Sequence, residues 1–148
     1  MKYLGTFALL LIWLASPLQA KIGELKAEAE AEDNLEKRSD KAMEYTIALF
    51  EAASDAYTAN DLESTKNLLE ETRAGVLWVK TSLEESGKTP RKSKYYKRAE
   101  IKTRRLIRDL EALEQRMSYV DRPLVQPVIE TTRKVNTALL NAIFSKKK

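Results

Sequence analysis

The chain has 148 residues, with 26 Lys or Arg against 22 Asp or Glu, and neither histidine nor cysteine. Without them the preferred ligands of transition metals are missing, Ser-His and Cys-His nucleophilic pairs cannot be assembled, and disulfides and a lipid-modified N-terminal cysteine are excluded. With only four glycines and four prolines in a chain rich in Ala, Leu, Glu, Lys and Arg, the composition points to an all-helical protein. We expect no cofactor, no metal and no enzymatic activity.

Residues 1–20, MKYLGTFALLLIWLASPLQA, join Lys2 to an apolar run from Leu4 to Ala15, followed by Ser16-Pro17 and Leu18-Gln19-Ala20. This is the order of a secretory signal peptide with cleavage after Ala20. The apolar run is shorter than the roughly 20 residues a spanning helix needs, so retention as an anchor is the weaker alternative. The mature chain is therefore expected to be exported, to the periplasm or beyond the cell, with no transmembrane segment. Its length suits one domain that holds itself together by packing alone.

Residues 21–31 form an acidic lead-in, alternating Glu with Ala and carrying few large apolar side chains. Such a segment favours helix locally but has little to bury, so it is read as frayed or solvated, with an acidic partner-binding arm as the alternative. The helical bundle domain spans residues 32–144. A first helix runs from about Glu32 to Ala59, with Leu35, Ala42, Leu49 and Ala56 repeating every seven residues and Met43, Thr46, Phe50, Ala53 and Tyr57 beside them. Asn60 then caps a second helix, Glu63 completing a capping-box pattern. That helix continues to about Glu85 with Leu62, Leu69, Val76 and Leu83 in register and Thr65, Thr72 and Val79 alongside, and stops at Gly87.

Pro90 interrupts the chain before a third helix, which reaches about Tyr119. Tyr96, Ala99, Thr103, Leu106, Leu110, Leu113 and Met117 fall on one side of it and predict a core stripe. A fourth helix follows Asp121, which can cap it, and Pro127 either starts its regular part or bends it. Val128, Thr132, Val135, Leu139, Ala142 and Ile143 form its stripe, which runs on to Phe144, and residues 145–148 are a basic tail. Together these elements predict an up-and-down antiparallel four-helix bundle built from two helical hairpins.

Charge divides the chain. Residues 21–86 carry 8 basic and 16 acidic side chains, whereas residues 87–148 carry 17 basic and 6 acidic, so the halves should attract. From Lys88 to Arg108 there are ten Lys or Arg and one Glu. Lys94, Lys97, Arg98, Arg104, Arg105 and Arg108, with Ile101 among them, form the candidate binding face. Like charges three or four residues apart destabilise a helix, so a negative surface is expected close by. It is supplied either internally, by Glu36, Asp40, Glu44 or Glu51, or by an acidic protein, a second copy of the chain, or an anionic envelope surface of lipid headgroups or cell-wall polymer. Nucleic acid is set aside, because export removes the usual substrate and no nucleic-acid module is present. Glu70-Glu71 and Glu84-Glu85 point about 100° apart on their helix and form no acid-base dyad. Trp78 is read as interhelix packing.

Two resemblances accompany this reading. Leu49, Ala52, Ala53, Ala56, the Asn60-Asp61-Leu62 turn, Thr65 and Leu69 resemble one tetratricopeptide-type unit, but Thr65 and Thr72 stand where alanine is expected, Asn60 stands for the turn glycine, and no second repeat aligns. Gly87-Lys88, Pro90-Arg91-Lys92, Lys94 to Glu100, Leu106, Leu110, Leu113 and Asp121-Arg122-Pro123 with Val128 resemble uncharacterised small exported bacterial helical proteins. That likeness implies no activity, ligand or catalytic residue.

Overall fold

A computed structural model of the protein describes residues 17–146, so most of the expected signal sequence, and Lys147 and Lys148 of the tail, lie outside the described residues. Five α-helices account for most of what is described, and no strand is present among those residues. They are α1 (Pro17–Ala31), α2 (Leu35–Thr58), α3 (Leu62–Glu85), α4 (Lys94–Arg116) and α5 (Gln126–Phe144), with a short 3-10 turn at Arg122–Leu124.

Helix α1 departs from the expected solvated lead-in. It is continuous through Ala20 and Lys21, the expected cleavage point, and packs on α2. Leu18, Ile22 and Leu25 are half-buried and Ala29 is fully buried, a three-four spacing that defines one face. The stripe has only four members, one of them the small Ala29 and another, Leu18, lying before the expected cleavage point. Glu32, in the bend that follows, pairs with Lys41 at 3.0 Å and its backbone carbonyl accepts from Arg38 Nε at 2.8 Å, which fixes the turn into α2.

The cap positions follow local chemistry with two corrections. Asn34 caps α2 by accepting from the Lys37 amide. Asp61, not Asn60, caps α3, accepting from the Ser64 amide at 3.0 Å and from the Ser64 hydroxyl at 2.7 Å. Asn60 instead takes the left-handed conformation that ends α2, with φ of 59°, which an asparagine tolerates better than other side chains. Asp121 makes no capping bond to the helix it was expected to start. Its carboxylate accepts from the Tyr57 and Ser118 hydroxyls, at 3.0 and 2.8 Å, and Pro127 opens the regular part of α5 rather than bending it. Gly87, with φ of 65°, closes α3 as its position implies.

Every residue of the predicted α4 stripe is buried, as are Leu69, Val76, Val79 and Leu83 of α3 and Val128, Val135, Leu139 and Ile143 of α5. Leu62 and Phe144 are not; they are exposed at helix ends. Threonines supply the polar members of the stripes: Thr46, Thr72, Thr103 and Thr132 are all buried, and each hydroxyl donates to the carbonyl four residues earlier at 2.7 to 2.8 Å. The bond satisfies a hydroxyl that would otherwise be costly to bury, and keeps the side chain small enough for helices to approach.

Helices α2 and α3 form the most extensive contact, and their pairings, such as Tyr45 with Trp78 and Thr46 with Gly75, run antiparallel from the Asn60 turn. Helices α4 and α5 form a second hairpin, in which Glu111 pairs with Arg133 and Asn136 bonds Glu100. Between hairpins, α2 lies beside α4 and α3 beside α5. The α2–α4 bonds climb together along both helices, from Glu36 with Ser93, through Asp40 with Arg98, to Ser54 with Arg116 and Tyr57 with Ser118. These neighbours are therefore parallel, and the acidic face of α2 meets the basic start of α4.

Candidate functional site

Ser93 begins the basic helix. Its hydroxyl oxygen accepts from the amides of Tyr95 and Tyr96 and its proton goes to Glu36 Oε2, so one side chain both caps α4 and ties it to α2. From this fixed start, the inward stripe led by Tyr96 sets which cations look outward.

The seven residues of the candidate face do not share one environment. Arg98 is bound to Asp40 at 2.7 Å, and the same carboxylate takes Lys102 at 3.0 Å, a residue the sequence reading did not include. Burial pushes the Asp40 carboxyl up, but the hydrogen bonds and charges of Lys102 and Arg98 outweigh it and hold the group below the ordinary carboxylate range. Lys94 and Arg98 also lie over the half-buried Tyr95 ring, 5.2 and 5.5 Å from its centroid. Arg104 pairs with Glu100 one turn back, at 3.2 Å. Lys97, Arg105 and Arg108 are exposed and have no ion pair among the described residues. Internal docking thus uses Asp40 and leaves Lys97, Arg105 and Arg108 without an ion pair among the described residues.

Ile101 sits between two clefts. On one side, a depression of about 490 Å³ between α2 and α4 is bordered by Asp40, Glu44, Lys97, Arg98, Lys102 and Arg105. On the other, a cleft of about 640 Å³ lies between α4 and the end of α5. Its apolar surface is Ile101, Leu140, Ile143 and Phe144, and its rim carries Arg91, Lys97, Arg104 and Lys146. Glu100 closes the inner wall. This glutamate is buried, its carboxylate held by Arg104 and facing Asn136 Nδ2 at 3.5 Å, while that amide also donates to the Glu100 carbonyl and to Thr103 Oγ1, each at 2.9 Å.

Sequence reasoning missed Glu100, Asn136, Leu140 and Arg91 as parts of one site. A signal existed for Glu100, the lone acid among ten cations, and for Leu140, an apolar side chain outside the α5 stripe and one turn before Phe144. Nothing local pairs α5 with α4 at this register.

The other candidates settle into structural roles. Tyr96 is buried, as its place on the stripe implies. Trp78 packs edge-on against Tyr45, with centroids 6.2 Å apart, beside a depression of about 520 Å³ that Lys26, Glu30 and Glu71 border. Burial, then the nearby Glu71 and Glu30 charges, pushes the Tyr45 hydroxyl up and keeps it neutral. No group of three carboxylates placed to hold a metal ion occurs among the described residues, and no helix among them is long and apolar enough to cross a membrane. Compared with protein families, curated proteins and solved structures, the chain gives no match.

Proposed function

We propose that the protein is an exported, periplasmic, non-catalytic interaction protein whose helices α2 to α5 act as one four-helix, up-and-down frame of two hairpins, with the outer face of α4 engaging an acidic protein partner. The observation that carries this reading is the division of the basic face: Asp40 takes up Arg98 and Lys102, while Lys97, Arg105 and Arg108 keep their charge exposed around Ile101. Uncompensated like charges on one helix cost stability in the free protein, and an acidic surface docking there removes that cost while Ile101 gains burial. Export rests on the order of Lys2, the Leu4–Ala15 run and Ala20.

A second reading, peripheral attachment to an anionic envelope surface, is favoured by the exposed Ile101, Leu140 and Phe144 beside those cations. The test compares binding of the full chain to polyglutamate and to anionic vesicles across a salt series. The primary reading expects salt-sensitive polyglutamate binding that is lost when Lys97, Arg105 and Arg108 are changed to Ala. Equal binding by that variant, with the same salt slope, overturns it.

A further inference from the structure

We propose that the cleft between α4 and the end of α5 is a binding site for a single-chain anionic amphiphile, an alkyl chain ending in a carboxylate or phosphate. The inference deepens the reading of α4 as an anion-facing helix and rests on it through Lys97 and Arg104, which belong to both surfaces.

Three of the seven large hydrophobic side chains exposed on the described protein converge here: Ile101 at 42%, Leu140 at 39% and Phe144 at 74% exposure. They are contributed by two helices and stand above the buried Ile143, so they form the wall of a cavity rather than scattered surface residues. At about 640 Å³ the cleft is the size of a small-molecule site.

Charge selects the head group. Arg91, Lys97, Arg104 and Lys146 rim the cleft, and the only acid lining it is Glu100. Glu100 is already matched: it lies inward, pairs with Arg104 and faces the Asn136 amide, so an entering anion meets the cations and not the carboxylate. The Arg104 side chain is 62% exposed despite that pair, and its guanidinium keeps donors for a ligand. Arg91, Lys97 and Lys146 have no ion pair among the described residues. A hydrophilic anion would leave the Ile101, Leu140 and Phe144 surface wet, and a neutral apolar ligand would leave the rim cations unpaired. An amphiphile answers both, its chain along the α5 side chains and its head at the rim.

Octanoate and decanoate, kept below micelle formation, are titrated into the full chain and followed by the methyl resonances of Ile101, Leu140 and Ile143. Saturable binding is expected, strengthening by about fourfold for each added methylene, as burial of a CH₂ group predicts. Leu140→Asp combined with Phe144→Asp should weaken it by about tenfold or more. Both positions are exposed, so folding is retained and is checked by circular dichroism. Arg91→Glu with Lys97→Glu should weaken it as well, whereas Arg105→Glu with Arg108→Glu should leave it unchanged. Equal affinity for the two chain lengths, equally effective competition by inorganic phosphate, or full binding by the Leu140/Phe144 variant overturns the proposal. So does binding to anionic vesicles with none to the monomeric amphiphiles, which assigns the surface to a bilayer. The Arg105/Arg108 variant separates the two readings: loss of polyglutamate binding with decanoate retained supports both, and decanoate binding by a wild-type chain that ignores polyglutamate removes only the adaptor reading.

Discussion

Gly75 of α3 lies against Thr46 of α2, and a Cβ placed on Gly75 would stand 2.2 Å from Thr46 Oγ1. The threonine cannot swing away freely, because its hydroxyl donates to the Ala42 carbonyl at 2.7 Å and the side chain is fully buried. A residue that ordinarily weakens a helix is therefore required by packing between helices.

Gly75→Ala should destabilise the protein by about 1–3 kcal/mol through overpacking, even though alanine is the better helix former by roughly 1 kcal/mol. Urea denaturation of Gly75→Ala, Thr46→Ala and the double variant checks this. The expected sign of non-additivity is rescue, the double variant losing less than the two single losses combined.

Tyr57 ties the end of α2 to the turn before α5, its hydroxyl accepting from the Ser118 amide at 2.9 Å and donating to Asp121 at 3.0 Å. Tyr57→Phe keeps the ring packing and removes both bonds. A loss of about 1–2 kcal/mol is expected. Amide exchange near Ser118 should quicken while the centre of α4 stays protected.

Asp40 couples the hairpins electrostatically. Its folded pKa lies below the ordinary aspartate value, so the stabilisation is complete above the unfolded pKa and disappears as pH falls through the lower folded pKa. Asp40→Asn should therefore cost up to about 1 kcal/mol near neutral pH, since the pair is partly solvated. Denaturation curves of wild type and variant should converge once pH drops well below the carboxylate range. Raising salt at neutral pH should also narrow the gap.

Asp61→Ala should lower the melting temperature by removing the α3 cap, whereas Asn60→Ala should lower it for a different reason, strain at positive φ. Asn60→Gly separates the two. It should match or exceed wild type, because glycine takes that conformation without a Cβ clash and the cap at Asp61 is untouched.

Reversing Arg105 and Arg108 to Glu should leave thermal stability unchanged or slightly raised, as neither side chain has an ion pair among the described residues. The same change at Arg98 should lower stability, because it sets a carboxylate beside Asp40. Thermal denaturation of the two variants in low salt distinguishes cations that serve the fold from cations left for a partner.

Much of the fold was legible in the chain because helical periodicity is a local property. The spacing of Tyr96, Ala99, Thr103, Leu106, Leu110, Leu113 and Met117 already states which side of α4 is inside, and all seven are buried. Gly87 and Pro90 likewise mark a break through their own backbone preferences. The α3 cap was misplaced by one residue because Asn60 and Asp61 are both good caps, and only the path of the turn decides which of them takes positive φ. The α1 face was overlooked because its few apolar residues become informative only when α2 lies against them.

Helices α2 to α5, most of their buried stripes and the separation of an acidic half from a basic one can be read along the chain, since each depends on residues a few positions apart. Which charges cancel and which remain is set by how the helices pack. That outcome depends on parallel packing of α2 beside α4, which brings Asp40 to Arg98 and Lys102 but leaves Lys97, Arg105 and Arg108 outside its reach, and on the register of α5, which sets Leu140 and Phe144 opposite Ile101. Coulomb pairing and cavity shape act across tens of residues of chain, and no local pattern encodes the register that brings their partners together.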